Sequence, residues 1–235
     1  MDAVILAGGR GTRLRPLTDS IPKPLIDVRG KPLLEWSLMT LRGVADRVIV
    51  VASYLQEQVR AFMASQRVFA DYVVIEQLPK PLGTGHALMC CKEAIASDDF
   101  LVLNGDDLYP TGAIRALAAV NAGVLTVERE DQSRWGVVVL DERGGVARLH
   151  EKPADGTYPP PVLVNTGAYK FTREVFNCTL NLSPRGEYEI TDYVTWLAER
   201  THVLPIRTPV WITVGTPEDH AAVQRLDFER LLFDE

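Results

Sequence analysis

Four short apolar runs, at residues 3–6, 47–51, 72–75 and 100–103, alternate with stretches of helical pattern at about 32–41, 55–63 and 84–96. Strand-length runs separated by about ten to fifteen helical residues are what parallel crossovers require. The alternation therefore restricts the first half to βαβ units in a mostly parallel sheet. The fold class expected is α/β, doubly wound and Rossmann-like, with helices on both faces. In such sheets ligands sit beyond the carboxyl ends of the strands. The loops at 8–15, 77–85 and 105–107 fall at those ends, so three loops should converge on one cleft.

The second half changes character. Strands are expected at 123–127, 136–140, 146–149 and 162–171, broken by Gly and Pro turns, with the segment from Asp141 to Gly145 as a hairpin loop. These strands predict a small antiparallel β layer on the edge of the sheet, as the floor for a second substrate. Pro159, Pro160 and Pro161 read as a stiff, extended loop. Helices are expected at about 188–200 and 217–228, the latter opening on a proline, which a first helical turn tolerates.

Bulk properties narrow the partners. At 235 residues and 46% hydrophobic content, the chain can build one sizeable core or a core with a small lobe. A net charge of −6 argues against a broad nucleic-acid surface, yet residues 10–31 hold six Lys or Arg against Asp19 and Asp27 alone. A compact anion is the better partner. Three cysteines, two of them the adjacent Cys90 and Cys91, supply neither a disulfide framework nor zinc-site spacing. The opening apolar run is too short for a secretory h-region, and no stretch reaches membrane-spanning length. A cytoplasmic protein without membrane or nucleic-acid partners is expected.

The strongest local motif follows the first strand. Val4, Ile5 and Leu6 lead into Gly8, Gly9 and Gly11, which permit backbone N–H groups to approach oxygen anions, and Arg10, Arg13, Arg15 and Lys23 bring charge to the same place. The dinucleotide fingerprint does not fit, because Leu14 stands where its last glycine belongs, and no Gly-Lys-Ser/Thr follows as in a Walker loop. Two further segments are chemically suited to a nucleotide. Gln77 ends a strand and offers both a donor and an acceptor to a base edge, with Gly83 and Gly85 giving backbone access and Thr84 as a helix N-cap. Asp106 and Asp107 close the strand at 100–103, and such hard oxygen ligands beside a polyphosphate suit Mg²⁺. Each of these, taken alone, reads equally well as turn chemistry.

Together they carry a resemblance. The run from Leu6 through Ala7, Gly8, Gly9, Gly11, Thr12 and Arg13 to Thr18, followed by Pro22, Lys23, Pro24 and Leu25, resembles the signature of the sugar-1-phosphate nucleotidylyltransferases, L-A-G-G-x-G-T-R-L-x-P-L-T then P-K-P-L. The similarity extends from Val4 to Asp219 and is to the short thymidylyl- and uridylyltransferase type acting on glucose 1-phosphate, with nothing resembling a hexapeptide β-helix extension. It implies one domain over 1–235, with about 1–120 binding a nucleoside triphosphate and about 121–235 a sugar 1-phosphate. Leu6, Ala7, Gly8, Gly9, Gly11, Thr12, Gln77, Gly83 and Thr84 would hold the nucleotide, and the glutamine goes with UTP or dTTP. Asp106 would carry the metal, with Asp107 and Thr213 as further candidates. Gly136, Glu151 and Asn165 would hold sugar hydroxyls, and Arg13, Lys23 and Lys152 would do the catalytic work on phosphates. One departure stands out: many relatives carry Asp where Thr213 stands. Two alternatives stay open, a cytidylyl- or guanylyltransferase acting on phosphocholine, mannose or heptose phosphate, and a non-catalytic nucleotide-sugar-binding regulatory subunit. Subunit number is open as well, a homo-oligomer included.

Overall fold

The computed structural model describes residues 1–233. Its strands are β1 (Asp2–Leu6), β2 (Asp27–Val28), β3 (Lys31–Pro32), β4 (Arg47–Ala52), β5 (Tyr72–Glu76), β6 (Asp99–Asn104), β7 (Asp107–Leu108), β8 (Gly123–Arg129), β9 (Gly136–Leu140), β10 (Val146–Glu151), β11 (Val162–Thr172), β12 (Leu204–Arg207) and β13 (Ile212–Thr213). Its helices are α1 (Leu33–Leu41), α2 (Gln56–Ser65), α3 (Thr84–Met89), α4 (Thr111–Ala118), α5 (Ile190–Ala198), α6 (Pro217–Val223) and α7 (Phe228–Phe233).

The expected parallel sheet is present, in the order β5-β4-β1-β6. Registers align Leu6 with both Val51 and Asn104, and Val51 with Ile75, so these strands end at one level and release their loops along one edge. Side chains alternate between faces with period two. Val4, Ile49, Val51 and Val102 pack with α3 and α5, while Ala3, Ile5, Val48 and Leu103 pack with α1, α2 and α4. Burial of both faces explains why these strands read as continuous apolar runs.

β11 joins the parallel part to the rest. It runs antiparallel to β6 through residues 168–172 and pairs with β8 along its length, and β12 adds a parallel edge strand on β8. The β9–β10 hairpin flanks the first half of β11 through Val164 and Val137. The antiparallel region is thus continuous with the main sheet, which has nine strands in all. A register shift between Asn165 and Tyr169 marks a bulge in β11.

Two expected helices are shorter than their patterns. α3 stops at Met89, and residues 91–94 continue as tight turns closed by Cys91 N to Leu88 O and Ala94 N to Cys91 O. The turns end where the buried carboxylate of Asp2 accepts from Ala96 N and Ser97 N at 2.6 and 3.1 Å. The pattern at 217–228 is split between α6 and α7, because Gln224 is drawn out of helical pairing: its carbonyl accepts from Arg29 and its side chain bonds Arg29 N and Asp27 O. α6 itself opens on a complete capping box between Thr216 and Asp219.

Candidate active site

The three loops do converge. A cleft of about 760 Å³ opens at the carboxyl edge of the sheet, within the range of small-molecule sites. Its walls include Leu6, Ala7, Gly8, Gly9, Lys23, Gln77, Gly83, Thr84 and Asp106, and also Arg10, Ser53, Tyr54, Lys80 and Glu187.

The glycine loop is anchored from behind. Leu14, fully buried with Ile26, Leu33, Trp36 and Val214, fixes the short turn that follows Thr12. Gly11 has φ +61°, and a Cβ there would lie 2.8 Å from the Thr18 methyl and 3.1 Å from Lys23 Cβ. This is a left-handed, crowded position that only glycine fills without strain. Thr18, whose hydroxyl donates to Gly11 O at 2.8 Å, completes the anchor. The stem of Lys23 is thereby pinned against the loop, and its ammonium reaches Asp106 Oδ2 at 2.5 Å. Arg13 lies elsewhere: its guanidinium sits beside Gly215, in the turn whose neighbour Val214 donates to Asp106 O at 3.1 Å. Thr12 and Arg13 are exposed, and neither lines the cleft.

Asp106 and Asp107 part company. Asp106 sits in the turn that follows β6, whereas Asp107 opens β7. Asp106 lines the cleft, while Asp107 is 5% exposed, accepts from Asn104 Nδ2 at 3.2 Å and is hydrogen-bonded by Thr213 across the β7–β13 ladder. Burial, and after it the Asp106 charge, raise the Asp107 carboxyl above the usual range. The sequence reading took Asp106 as the ligand and Asp107 as a further candidate; the structure turns Asp107 into the interior. Asp106 is the group here that could hold a divalent cation, and among the described residues no trio of acidic, His or Cys side chains forms a protein-only cage.

The base-side loop is built differently from its sequence reading. Gln77, 4% exposed, donates from Nε2 to Gly83 O at 2.9 Å and places the same nitrogen 3.1 Å from His86 Nδ1. The donor half of its amide is therefore spent inside the protein, and its Oε1 lies against Gly8. Burial lowers the His86 pKa, which suits the neutral ring that accepts this bond. At Gly83 and Gly85 the missing side chains leave room for neighbouring chain. A Cβ on Gly83 would stand 2.5 Å from Tyr188 O, and one on Gly85 2.8 Å from Glu189 O. Tyr188 N donates to Leu82 O and Gly85 N to Tyr188 O, both at 2.8 Å. Thr84 is not the cap expected: Gly83 occupies that position, and the Thr84 hydroxyl accepts from Ile190 N at 3.1 Å. The segment from Glu187 to Ile190 is thus the outer wall of the loop, a role that nothing local in the sequence announces.

The remaining candidates gather on the β9–β10–β11 side. The Glu151 carboxylate comes within 3.2 Å of the space above Gly136, with Asn165 Cβ at 3.8 Å from the same point. Asn165 donates to the Tyr169 hydroxyl at 2.7 Å and accepts from Gly167 N at 3.0 Å, holding the β11 bulge. Lys152, half-exposed, keeps its ammonium 3.8 Å from Glu151. Gly167 sits against the side chain of Asn104, which lines the main cleft, so the two groups of residues adjoin.

The model of the nucleotidyl transferase family matches residues 2–229. The chain belongs to the nucleotidyl transferase family. Within it, this chain is 36% identical over 222 residues to the bifunctional protein GlmU of Methanococcus maripaludis, covering 93% of this chain and 52% of that protein. It is 33% identical over 241 residues to a glucose-1-phosphate thymidylyltransferase of Streptomyces griseus, covering 97% of this chain and 66% of the relative. The chain thus spans about half the length of the GlmU proteins it matches, 52%. A UDP-glucose pyrophosphorylase solved with UDP-glucose superposes with a TM-score of 0.79 at 20% identity, covering 95% of this chain and 96% of that one, which shows the shared fold. The resemblance carried by the N-terminal signature is borne out at the level of the family. No described helix is long and apolar enough to cross a membrane.

Proposed function

We propose that this nucleotidyl transferase joins a nucleoside triphosphate, UTP or dTTP favoured, to a sugar 1-phosphate, giving an NDP-sugar and pyrophosphate. One observation carries the reading: Lys23 and Asp106 meet in the wall of a cleft whose floor is the glycine loop. A sugar-phosphate oxygen attacks the α-phosphorus in line, a new P–O bond forms, the bond to the β-bridging oxygen breaks, and pyrophosphate leaves with that electron pair. No general base is required, because a phosphate monoester with a second pKa of about 6 is already largely dianionic at neutral pH. The protein then supplies position and countercharge.

Lys23 neutralises the α-phosphate, Arg13 the departing β- and γ-phosphates, and Lys152 aligns the incoming sugar phosphate. Gly136, Glu151 and Asn165 hold the sugar. The Asp106 carboxylate, beside the glycine loop in the cleft wall, suits Mg²⁺, which takes one or two carboxylates and completes its shell from phosphates and water. Asp106 would hold it, and when bound the ion supplies charge neutralisation to the phosphate tail. A pyrimidine is favoured because the resemblance pairs a glutamine at this place with UTP or dTTP, and the acceptor that Gln77 keeps can meet the N3–H of uracil or thymine. The name of the Streptomyces griseus relative is in keeping with dTTP. The reading takes the chain as one cytoplasmic domain, nucleotide on about 1–120 and sugar on about 121–235.

The test is pyrophosphate release with Mg²⁺ across UTP, dTTP, CTP, GTP and ATP, each with a panel of sugar 1-phosphates. Release with UTP or dTTP is expected. Release confined to CTP or GTP would replace the pyrimidine assignment with the cytidylyl- or guanylyl reading. A second reading, a binding subunit without turnover, draws on Thr213, a hydroxyl engaged by Asp107 where many relatives carry a carboxylate. Silence across the panel with retained NDP-sugar binding would support it.

A further inference from the structure

The glycine loop carries three arginines, and the structure gives each a different surrounding. Arg15 is ion-paired to Asp19 at 3.2 Å, and Arg13 lies beside Gly215. Arg10 lines the cleft, is exposed, and among the described residues meets no carboxylate; its guanidinium stands over the Tyr54 ring, 5.5 Å from the centroid. Tyr54 lines the same cleft and is fixed from its far end, where its hydroxyl donates to Asp19 O at 3.0 Å. Gln58, from the first turn of α2, donates to Ser20 O at 2.9 Å and strengthens that tether.

An unpaired guanidinium held at a cleft wall over a tethered ring is a pre-organised anion grip. The aromatic face attracts the cation without neutralising it, leaving its N–H donors free for a ligand. Building on the function proposed above, we infer that Arg10 binds the phosphate tail of the incoming nucleoside triphosphate, and that Tyr54 is the positioning residue that holds Arg10 in reach of it. Arg10 stands between Gly9 and Gly11, so this grip adds to whatever the loop amides supply. The ring limits the rotamer freedom that a long, exposed side chain would otherwise lose on binding.

The experiment measures dissociation constants by calorimetry on the full chain for UTP, dTTP, uridine and inorganic tripolyphosphate, with thermal melts as the folding control. Arg10→Ala is expected to weaken triphosphate and tripolyphosphate binding about tenfold or more, as loss of a charge-assisted contact does, and to leave uridine unchanged. Arg10→Lys should recover part of the loss. Tyr54→Phe keeps the ring but loses the bond to Asp19 O and should weaken binding less than Tyr54→Leu, which should weaken it several-fold; adding Tyr54→Leu to Arg10→Ala should cost little more, since the two act as one unit. Wild-type binding with an unchanged Arg10→Ala overturns this inference alone. Fully additive losses, or Tyr54→Phe as weak as Tyr54→Leu, overturn the positioning role of the ring. A wild type that binds no nucleoside triphosphate in the panel sinks the functional reading itself, and this inference with it.

Discussion

Lys23 is the residue on which the proposed chemistry most depends. Its stem is buried against Gly11 and its ammonium rests on Asp106, so the charge is held in place before any ligand arrives. Lys23→Met keeps the stem and removes the charge. It is expected to lower kcat by about 100-fold or more, as loss of a preorganised charge on a reacting group does, while the melting temperature moves little; near-normal turnover would take Lys23 out of the reaction. This residue was legible in the sequence because its neighbours are local: the glycines, Thr18 and Lys23 lie within one short segment. Asp107 was not. Its burial depends on Asn104 and on Thr213, the latter far along the chain, and a spacing argument cannot see which side of a strand a distant ladder will cover.

Between residue and fold stands the docking of the loop at 78–85 onto the segment before α5. It is the element most sensitive to a single methyl group. Gly83 has φ +97° with Tyr188 O where a Cβ would go, so Gly83→Ala must displace backbone. A cost of about 2–4 kcal/mol follows from strain and overlap together. The expected result is a lowered melting temperature with weakened UTP binding, whereas Gly112→Ala, inside α4 and facing open space, should be neutral or stabilising by up to about 1 kcal/mol. Sequence reasoning assigned Gly83 and Gly85 to a ligand because glycine signals close approach without saying of what. The elements missed have equally physical reasons. β12 contains Pro205, which reads as a breaker and is tolerated because this strand is the sheet's edge. α4 buries only Ile114 and Leu117, too sparse a stripe to register as a helical pattern.

The molecule as a whole stores its acidic protons in the core. Burial, with Cys90 second, pushes the Cys91 thiol up to about 12 from a usual 9.0. Burial likewise raises the Tyr169 and Tyr193 phenols above their usual 10.0. Each group holds its proton more tightly folded than unfolded, so its contribution is complete below the unfolded value and is lost as pH climbs toward the folded one. Stability should be level with respect to these groups through neutral pH and fall above about pH 9, by up to about 1.4 kcal/mol per pH unit for each group titrating in the unfolded chain. Denaturant unfolding from pH 7 to 11 reads this directly, and Tyr193→Phe should flatten the fall by one proton; a slope unchanged in that variant would remove Tyr193 from the account. The alternation of strands and helices made the parallel half of the sheet readable in advance, because period-two and helical patterns are local; the contacts that complete the cleft are not. Tyr188 seals a loop that emerged from synthesis about a hundred residues before it. A nascent chain with all four strands of the parallel half already made would still lack a finished cleft, and the ribosome must deliver the segment leading into α5 before that cleft has its outer wall.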